Sequence, residues 1–373
     1  MAKKKKTGLS LMSENKLRKK YPESNKASVI CLPANDVLWL PCRVLPFNEQ
    51  LGGGIPYGHI LELYGEENVG KTLLAMDFAY VCQQLGGMVL WSDAESTFNG
   101  PWAEKNGLDL SKIELLPIEN GIEKISDWIA DMVPYYRSKL TNNEPILLVL
   151  DSLAALECMD NIFSSQVDAK AEMGNRAKAI DRMLRTRNHL FHKLGVCCLF
   201  INQLRSKIGA SQFEDPDTTP GGKAMRFYAS QRVGLYRGKI LKDPKTDKKV
   251  GRLIYCRLHK TKVAMPNENI KCEVYFKDYK GKLGYSKYFE YSEVLVEKGV
   301  LKDKKKRYYL GDKLIAHGKE ALDKLIAEDN ALRKDLIKAS GTMTVSKAER
   351  RINKQTKNLY PVTVSKSDSD EEE

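Results

Sequence analysis

No apolar run in this sequence comes near the ~20 residues that span a bilayer. The longest are Ile146–Leu150 and Val196–Ile201, so no membrane role is expected. Lys3–Lys6 is not followed by an apolar stretch, and no secretory signal is expected from it. No C-x-x-C pair occurs among the eight cysteines, which argues against a zinc or disulfide framework. Cys82, Cys197, Cys198 and Cys256 sit in apolar runs and read as buried, reduced thiols of a cytoplasmic protein. Internal repeats are also lacking.

Positive charge, by contrast, is abundant. The formal net charge is +13 over 373 residues, which points to a polyanion, nucleic acid first. Solubility alone is the other reading of the same number. The charge is uneven: residues 1–30 hold nine Lys/Arg against two Glu, while Ser367–Glu373 is acidic. Such a tail would compete with DNA for the protein's own basic surface. With 42% hydrophobic residues, a chain of this length can bury one large domain plus a smaller one.

The most informative stretch is Gly65-Glu66-Glu67-Asn68-Val69-Gly70-Lys71-Thr72, preceded by the apolar run His59–Tyr64 and followed by a helical pattern over Leu73–Leu85. It fits the phosphate-binding loop G-x-x-x-x-G-K-[ST]. Gly65 and Gly70 let the backbone turn and approach a ligand that a Cβ would exclude. Successive N–H groups at a helix N-terminus then face the phosphates. Lys71 would add positive charge at the β/γ-phosphates, and Thr72 a hydroxyl for Mg²⁺.

Between about Leu38 and Phe276, short apolar runs alternate with helix-like ones. Ile60–Tyr64, Met88–Ser92, Ile113–Leu116, Ile146–Leu150 and Val196–Ile201 read as strands buried on both faces of a parallel sheet. Thr72–Leu85, Gly121–Leu140 and Ala169–Leu194 read as the covering helices, with Pro134 a candidate bend. Ser230–Arg237, Arg252–Leu258 and Lys271–Phe276 alternate apolar with polar residues and predict an antiparallel extension. Gly318–Ile337 predicts a charged amphipathic helical stretch, and after Gly341 the chain is polar and is expected to be flexible.

Three strand tips carry acids or amides. Asp151 ends Ile146–Leu150, where it would hold the Mg²⁺ shell or simply cap the next helix. Asp93 and Glu95 follow Met88–Ser92; Glu95 is the candidate for orienting and deprotonating an attacking water, the alternative being solvated loop acids. Asn202 and Gln203 follow Val196–Ile201, and Gln203 would sense the γ-phosphate. The long segment from Arg205 to Gly222 then reads as a functional loop, its basic residues suited to phosphates.

Several stretches resemble bacterial RecA recombinases: Gln50–Gly58, Asp93–Glu95, Leu150–Leu156, Phe200–Gly209 and Thr218–Ser230. Gly174–Lys178 is similar to the phage UvsX branch of that family. The resemblance implies an α/β, RecA-like P-loop NTPase core with a mostly parallel sheet, an antiparallel extension and a small α+β C-terminal domain. Its boundaries are read as a basic arm over 1–37, the core over 38–280, the C-terminal domain over 281–340 and a flexible, acid-ended tail over 341–373.

The resemblance also implies a DNA-dependent ATPase, with ATP and Mg²⁺ as cofactors. It would assemble as a helical filament on single-stranded DNA and exchange strands with homologous duplex. Single-strand-binding and loader proteins are further candidate partners, and the location would be a bacterial or host cytoplasm. Residues 65–72 would then bind phosphates, with Thr72 and Asp151 at the metal, Glu95 as general base and Gln203 as sensor. Trp102 falls where the family stacks an aromatic on adenine. Lys260 and Lys262, in Lys260-Thr-Lys262-Val-Ala-Met-Pro266, match a segment whose lysines reach the neighbouring subunit's ATP. Arg185, Arg205, Lys207, Gly221 and Gly222 match DNA-contacting positions. A ring-forming motor of the same fold, acting on nucleic acid, is the competing reading; the lysine segment and the long loop favour the filament.

Overall fold

The computed structural model describes residues 37–116, 121–140, 142–159, 169–206, 217–220, 222–263, 269–279, 282–355 and 358–360. The chain divides between Val37 and Leu38, and every element below belongs to the second unit.

A nine-stranded sheet organises it. From one edge the strands run Lys282–Tyr285, Ile270–Tyr279, Lys249–Thr261, Gln231–Lys242, Ile60–Gly65, Val196–Gln203, Ile146–Asp151, Met88–Asp93 and Ile113–Leu116. The last six are mutually parallel. The first three are added antiparallel. Gln231–Lys242 is therefore the hinge of the topology, parallel to Ile60–Gly65 on one side and antiparallel to Lys249–Thr261 on the other.

Alternation along each central strand splits its residues between two cores. Leu61, Leu63, Val89, Trp91, Leu147, Val149, Cys197, Leu199 and Ile201 face one side, under the helix Lys71–Gln84 through Leu74, Phe78 and Val81. Ile60, Leu90, Leu148, Leu150, Cys198 and Phe200 face the other, under Ile122–Lys139 and Ala169–Leu194. Covering both faces explains why these strands read as nearly continuous apolar runs. The Ile122–Lys139 helix continues through Pro134. Cys82, Cys197, Cys198 and Cys256 are free and buried. Burial pushes the Cys82 thiol up to about 12.

A third, smaller core gathers Tyr291, Leu295, Leu301, Tyr308, Leu322, Ile326 and Leu336 beneath a three-stranded antiparallel sheet. The helical stretch expected over 318–337 is two helices, Lys319–Glu328 and Asn330–Ser340. Asp329 breaks it, because its carboxylate accepts from the N–H groups of Ala331 and Leu332 at 3.0 and 2.9 Å, the geometry of an N-cap.

The expected tail after Gly341 is corrected for residues 342–355 and 358–360. Val345–Lys354 is a helix, and Met343, Ala348 and Ile352 are buried in the core under the phosphate-loop helix. Tyr360 then lies 6.0 Å from the Tyr57 ring, with the Arg137 guanidinium 5.7 Å from its centroid. Sparse apolar residues at helical spacing sufficed because each meets a preformed core. The acidic end, 367–373, lies outside the described residues. No described helix is long and apolar enough to cross a membrane.

Candidate nucleotide site

Parallel strands deliver their C-terminal ends to one edge, and the loops leaving four of them build a cleft of about 800 Å³. It is lined by Glu67–Leu73, Glu95, Thr97, Asn99, Trp102, Asp151, Gln203 and several residues of the antiparallel strands.

Glycine is required at both ends of the Gly65–Thr72 loop. A Cβ on Gly65 would stand 2.3 Å from the Leu235 carbonyl oxygen of the adjacent strand. Gly70 sits at φ +93°, and a Cβ there would meet the Tyr285 hydroxyl at 2.9 Å. Between them Asn68 also adopts a positive φ, 54°, and Val69 is buried. Gly70 is the N-cap of the helix that begins at Lys71. The loop is further held from the opposite strand: Arg237 Nε pairs with Glu66 Oε2 at 3.0 Å, and its Nη2 donates to the Glu67 carbonyl.

Lys71 Nζ donates to the Gly65 and Glu66 carbonyls at 3.1 and 2.6 Å. Burial lowers its pKa, while Asp151, Glu95 and Glu67 push the other way. Thr72 Oγ1 donates to Asp151 Oδ2 at 2.8 Å. Two adjacent oxygens, one anionic, suit a hard divalent cation that takes oxygen ligands. Burial raises Asp151 to about 6; the Thr72 hydrogen bond lowers it, Glu95 and Asp93 raise it, and Lys71 lowers it.

Glu95 is held from two sides. Its Oε1 accepts from Gln203 Nε2 at 3.0 Å and from the Ser152 hydroxyl. Its turn is set by Asp93, which accepts from the Thr97 and Phe98 N–H groups at 3.1 and 2.9 Å. A carboxylate held by two partners is positioned rather than a freely solvated loop acid. Trp102 sits on the cleft wall, its helix started by the Asn99 side chain, which accepts from Trp102 N at 2.9 Å.

The cleft has a second wall that the sequence reading missed: Arg237, Arg252, Ile254, Val274 and Phe276. Two cations facing a phosphate loop could have been suspected from their alternation with apolar residues on the antiparallel strands.

Other expected residues lie elsewhere. Lys260 and Lys262 are not in this cleft. Their amines meet the carbonyls at the end of the helix Gly222–Tyr228: Lys260 with Arg226 and Phe227, Lys262 with Phe227 at 3.0 Å. Arg185 is exposed on Ala169–Leu194. Arg205 begins a two-residue ladder with Asp217–Thr218, and Gly222 opens its helix. Lys207 and Gly221 lie outside the described residues, as do the arm over 1–36 and Ala264–Pro266.

The raised Asp151 pKa carries a stability cost with a definite pH window. The folded state holds this proton above the ordinary aspartate range, so stability falls as pH rises from about 4 to about 6, then levels off. Asp151→Asn is expected to stabilise the ligand-free protein by about 3 kcal/mol above pH 6. The gain should vanish near pH 4. Denaturant unfolding of both proteins across that range checks it, and a pH-independent difference would overturn the assignment.

The RecA N-terminal domain family model matches residues 16–280. The RecA protein of Porphyromonas gingivalis is 31% identical over 329 residues, 87% of this chain and 91% of that protein. The Cytophaga hutchinsonii RecA is 33% identical over 288 residues, covering 77% and 76% of the two chains. That of Bacteroides thetaiotaomicron is 32% identical over 298 residues, covering 80% and 85%. The family match takes in the cleft and nearly all of the nine-stranded sheet, and the identity extends over most of each relative's length. The chain belongs to the RecA family.

Proposed function

We propose that this chain is a DNA-dependent ATPase that acts as a homologous recombinase in DNA repair, assembling as a filament on single-stranded DNA and pairing it with homologous duplex. The observation that carries this reading is the convergence of Lys71, the Thr72–Asp151 pair and the Gln203-held Glu95 on one cleft. ATP is the substrate, its phosphates cradled by residues 65–72 and its base against Trp102. Thr72 and Asp151 would hold Mg²⁺, which would neutralise charge building on the β- and γ-oxygens. Glu95 Oε1 orients a water and takes its proton. Gln203 shares that oxygen, so a γ-phosphate that draws its amide away also alters the base.

Gln203 leads directly into the Arg205–Ser206 ladder, and this continuity supports a DNA role for the segment that also carries Lys207, Gly221 and Gly222. Arg185 would add a phosphate contact. Lys260 and Lys262, turned away from their own cleft, suit a neighbour's. The ATPase core is assigned to 38–280, the small C-terminal domain to 281–340, the basic arm to 1–37 and the location to the cytoplasm.

ATP turnover should rise steeply on adding single-stranded DNA. That stimulation should weaken linearly in log–log terms as salt is raised, because phosphate contacts release counterions. A DNA-independent, salt-insensitive ATPase would favour the ring-forming motor, and electron microscopy with a slowly hydrolysed analogue would show rings instead of filaments.

A further inference from the structure

Glu62 is a carboxylate in the middle of the central strand Ile60–Gly65, and it is wholly buried. An unpaired charge there would be very costly. It has two partners. Oε2 accepts from Arg232 Nε, on the register-matched residue of the neighbouring strand. Oε1 accepts from Asn202 Nδ2 at 3.0 Å.

Asn202 uses every group it has. The same Nδ2 donates to the Pro220 carbonyl at 2.9 Å, and Oδ1 accepts from Gln203 N at 3.0 Å. It therefore joins the strand end that holds Glu95 to Pro220, two residues beyond the Asp217–Thr218 ladder. An amide has two orientations of nearly equal shape and opposite hydrogen-bond polarity. The Pro220 carbonyl can only accept and the Gln203 N–H can only donate, so they set which way this amide faces; Glu62 adds an ionised acceptor that holds the amide in place with a charge-assisted bond.

The opposite side of the row reaches the paired lysines. Arg232 stands across from Lys260 in the antiparallel register. The helix Gly222–Tyr228 roofs this face, packing Ala224 and Met225 into its core. Its start follows Pro220, and its end meets the Lys260 and Lys262 amines. Glu62 thus lies beneath a short helix tied at one end to the sensor strand and at the other to the lysines.

We propose that Glu62 is a positioning residue: it anchors the Asn202 amide, and through it ties Pro220 at the start of the helix Gly222–Tyr228 to Gln203, keeping DNA stimulation coupled to ATP turnover. This rests on the reading of the cleft and its loop as a DNA-dependent ATPase. Glu62 touches neither nucleotide nor reacting atoms, so its loss should separate two activities that a folding defect would lower together.

The test uses the full-length chain. Glu62→Gln preserves size but removes the charge, so the bond that anchors the Asn202 amide becomes a weaker, neutral one and the buried Arg232 loses its counter-ion. Turnover without DNA and the KM for ATP should stay within about threefold of the parent, while turnover with single-stranded DNA should fall at least about tenfold. Glu62→Gln combined with Arg232→Met removes the stranded cation and keeps the test valid if the single variant fails to fold. It should show the same split. Folded variants that DNA stimulates as strongly as the parent overturn the inference, and so does a proportional fall in both activities. A parent that DNA does not stimulate overturns the underlying reading instead.

Discussion

Lys71→Ala is expected to abolish ATP turnover, lowering kcat/KM by about 10³-fold or more while leaving the protein folded. The ammonium lies on the Gly65 and Glu66 carbonyls, held in the loop that would wrap the phosphates. Without it, the acids Asp151 and Glu95 face a polyanion with less compensation; the remaining cations on the lining, Arg237 and Arg252, belong to the other wall. One charge interaction at about 4 Å contributes about 4 kcal/mol at an effective dielectric of about 20. That corresponds to about a thousandfold in rate.

Stability should respond differently from activity. Burial already disfavours the charged form of Lys71. Removing it therefore eliminates a desolvation penalty along with a favourable field, and the melting temperature should barely move. Steady-state turnover, nucleotide binding and a melt, measured together, check both halves. Turnover within tenfold of the parent would refute the phosphate-loop assignment. Inactivity accompanied by unfolding would show that the lysine's bonds to the loop are structural.

The parts of this site legible in the sequence share one physical cause. A parallel strand buried on both faces reads as an apolar run, and its C-terminal end is the first polar residue after it. Asp151, Glu95 and Gln203 each stand at or just beyond such a point, and the glycine loop follows a fourth run. What escaped depends on pairing register. Arg237 and Arg252 reach the cleft because alternation puts them on the face of Val233, Leu235, Ile254 and Cys256, and the pairing of Arg237 with Ile254 sets that face beside the loop. The alternation is local, but that the face meets the Gly65–Thr72 loop depends on which strands pair. Glu62 escaped because one acid inside an apolar run reads as part of the strand until its partners, 140 and 170 residues away, are known. The helix Val345–Lys354 escaped because its polarity matches a solvated segment and its three anchors find a core assembled from far earlier residues.

Lys260 and Lys262 should be required for turnover, but by the neighbouring subunit. In this chain they stand outside the cleft that holds Lys71 and, among the described residues, bond to helix-end carbonyls, contacts that a polyanion would readily replace. Lys260 is brought down to about 8, first by partial burial and then by Lys262 and Arg232 beside it. Two crowded ammonium groups gain by meeting a triphosphate, whose charge relieves their repulsion. A head-to-tail interface would bring that about, and such interfaces propagate as rings or helices. The double variant Lys260→Ala, Lys262→Ala should therefore bind nucleotide but turn it over at least about a hundredfold more slowly, the scale of losing charge stabilisation at the leaving group. Mixing decides whose site is served. Lys71→Ala chains lack a working cleft yet keep the paired lysines; the double variant is the reverse. Each alone should be inactive, but at equal amounts about a quarter of head-to-tail interfaces join an intact cleft to an intact pair. Recovery of about that fraction of parental turnover on DNA is the expected result. If no activity returns although the two variants co-assemble, the lysines serve their own chain and the shared-site reading fails.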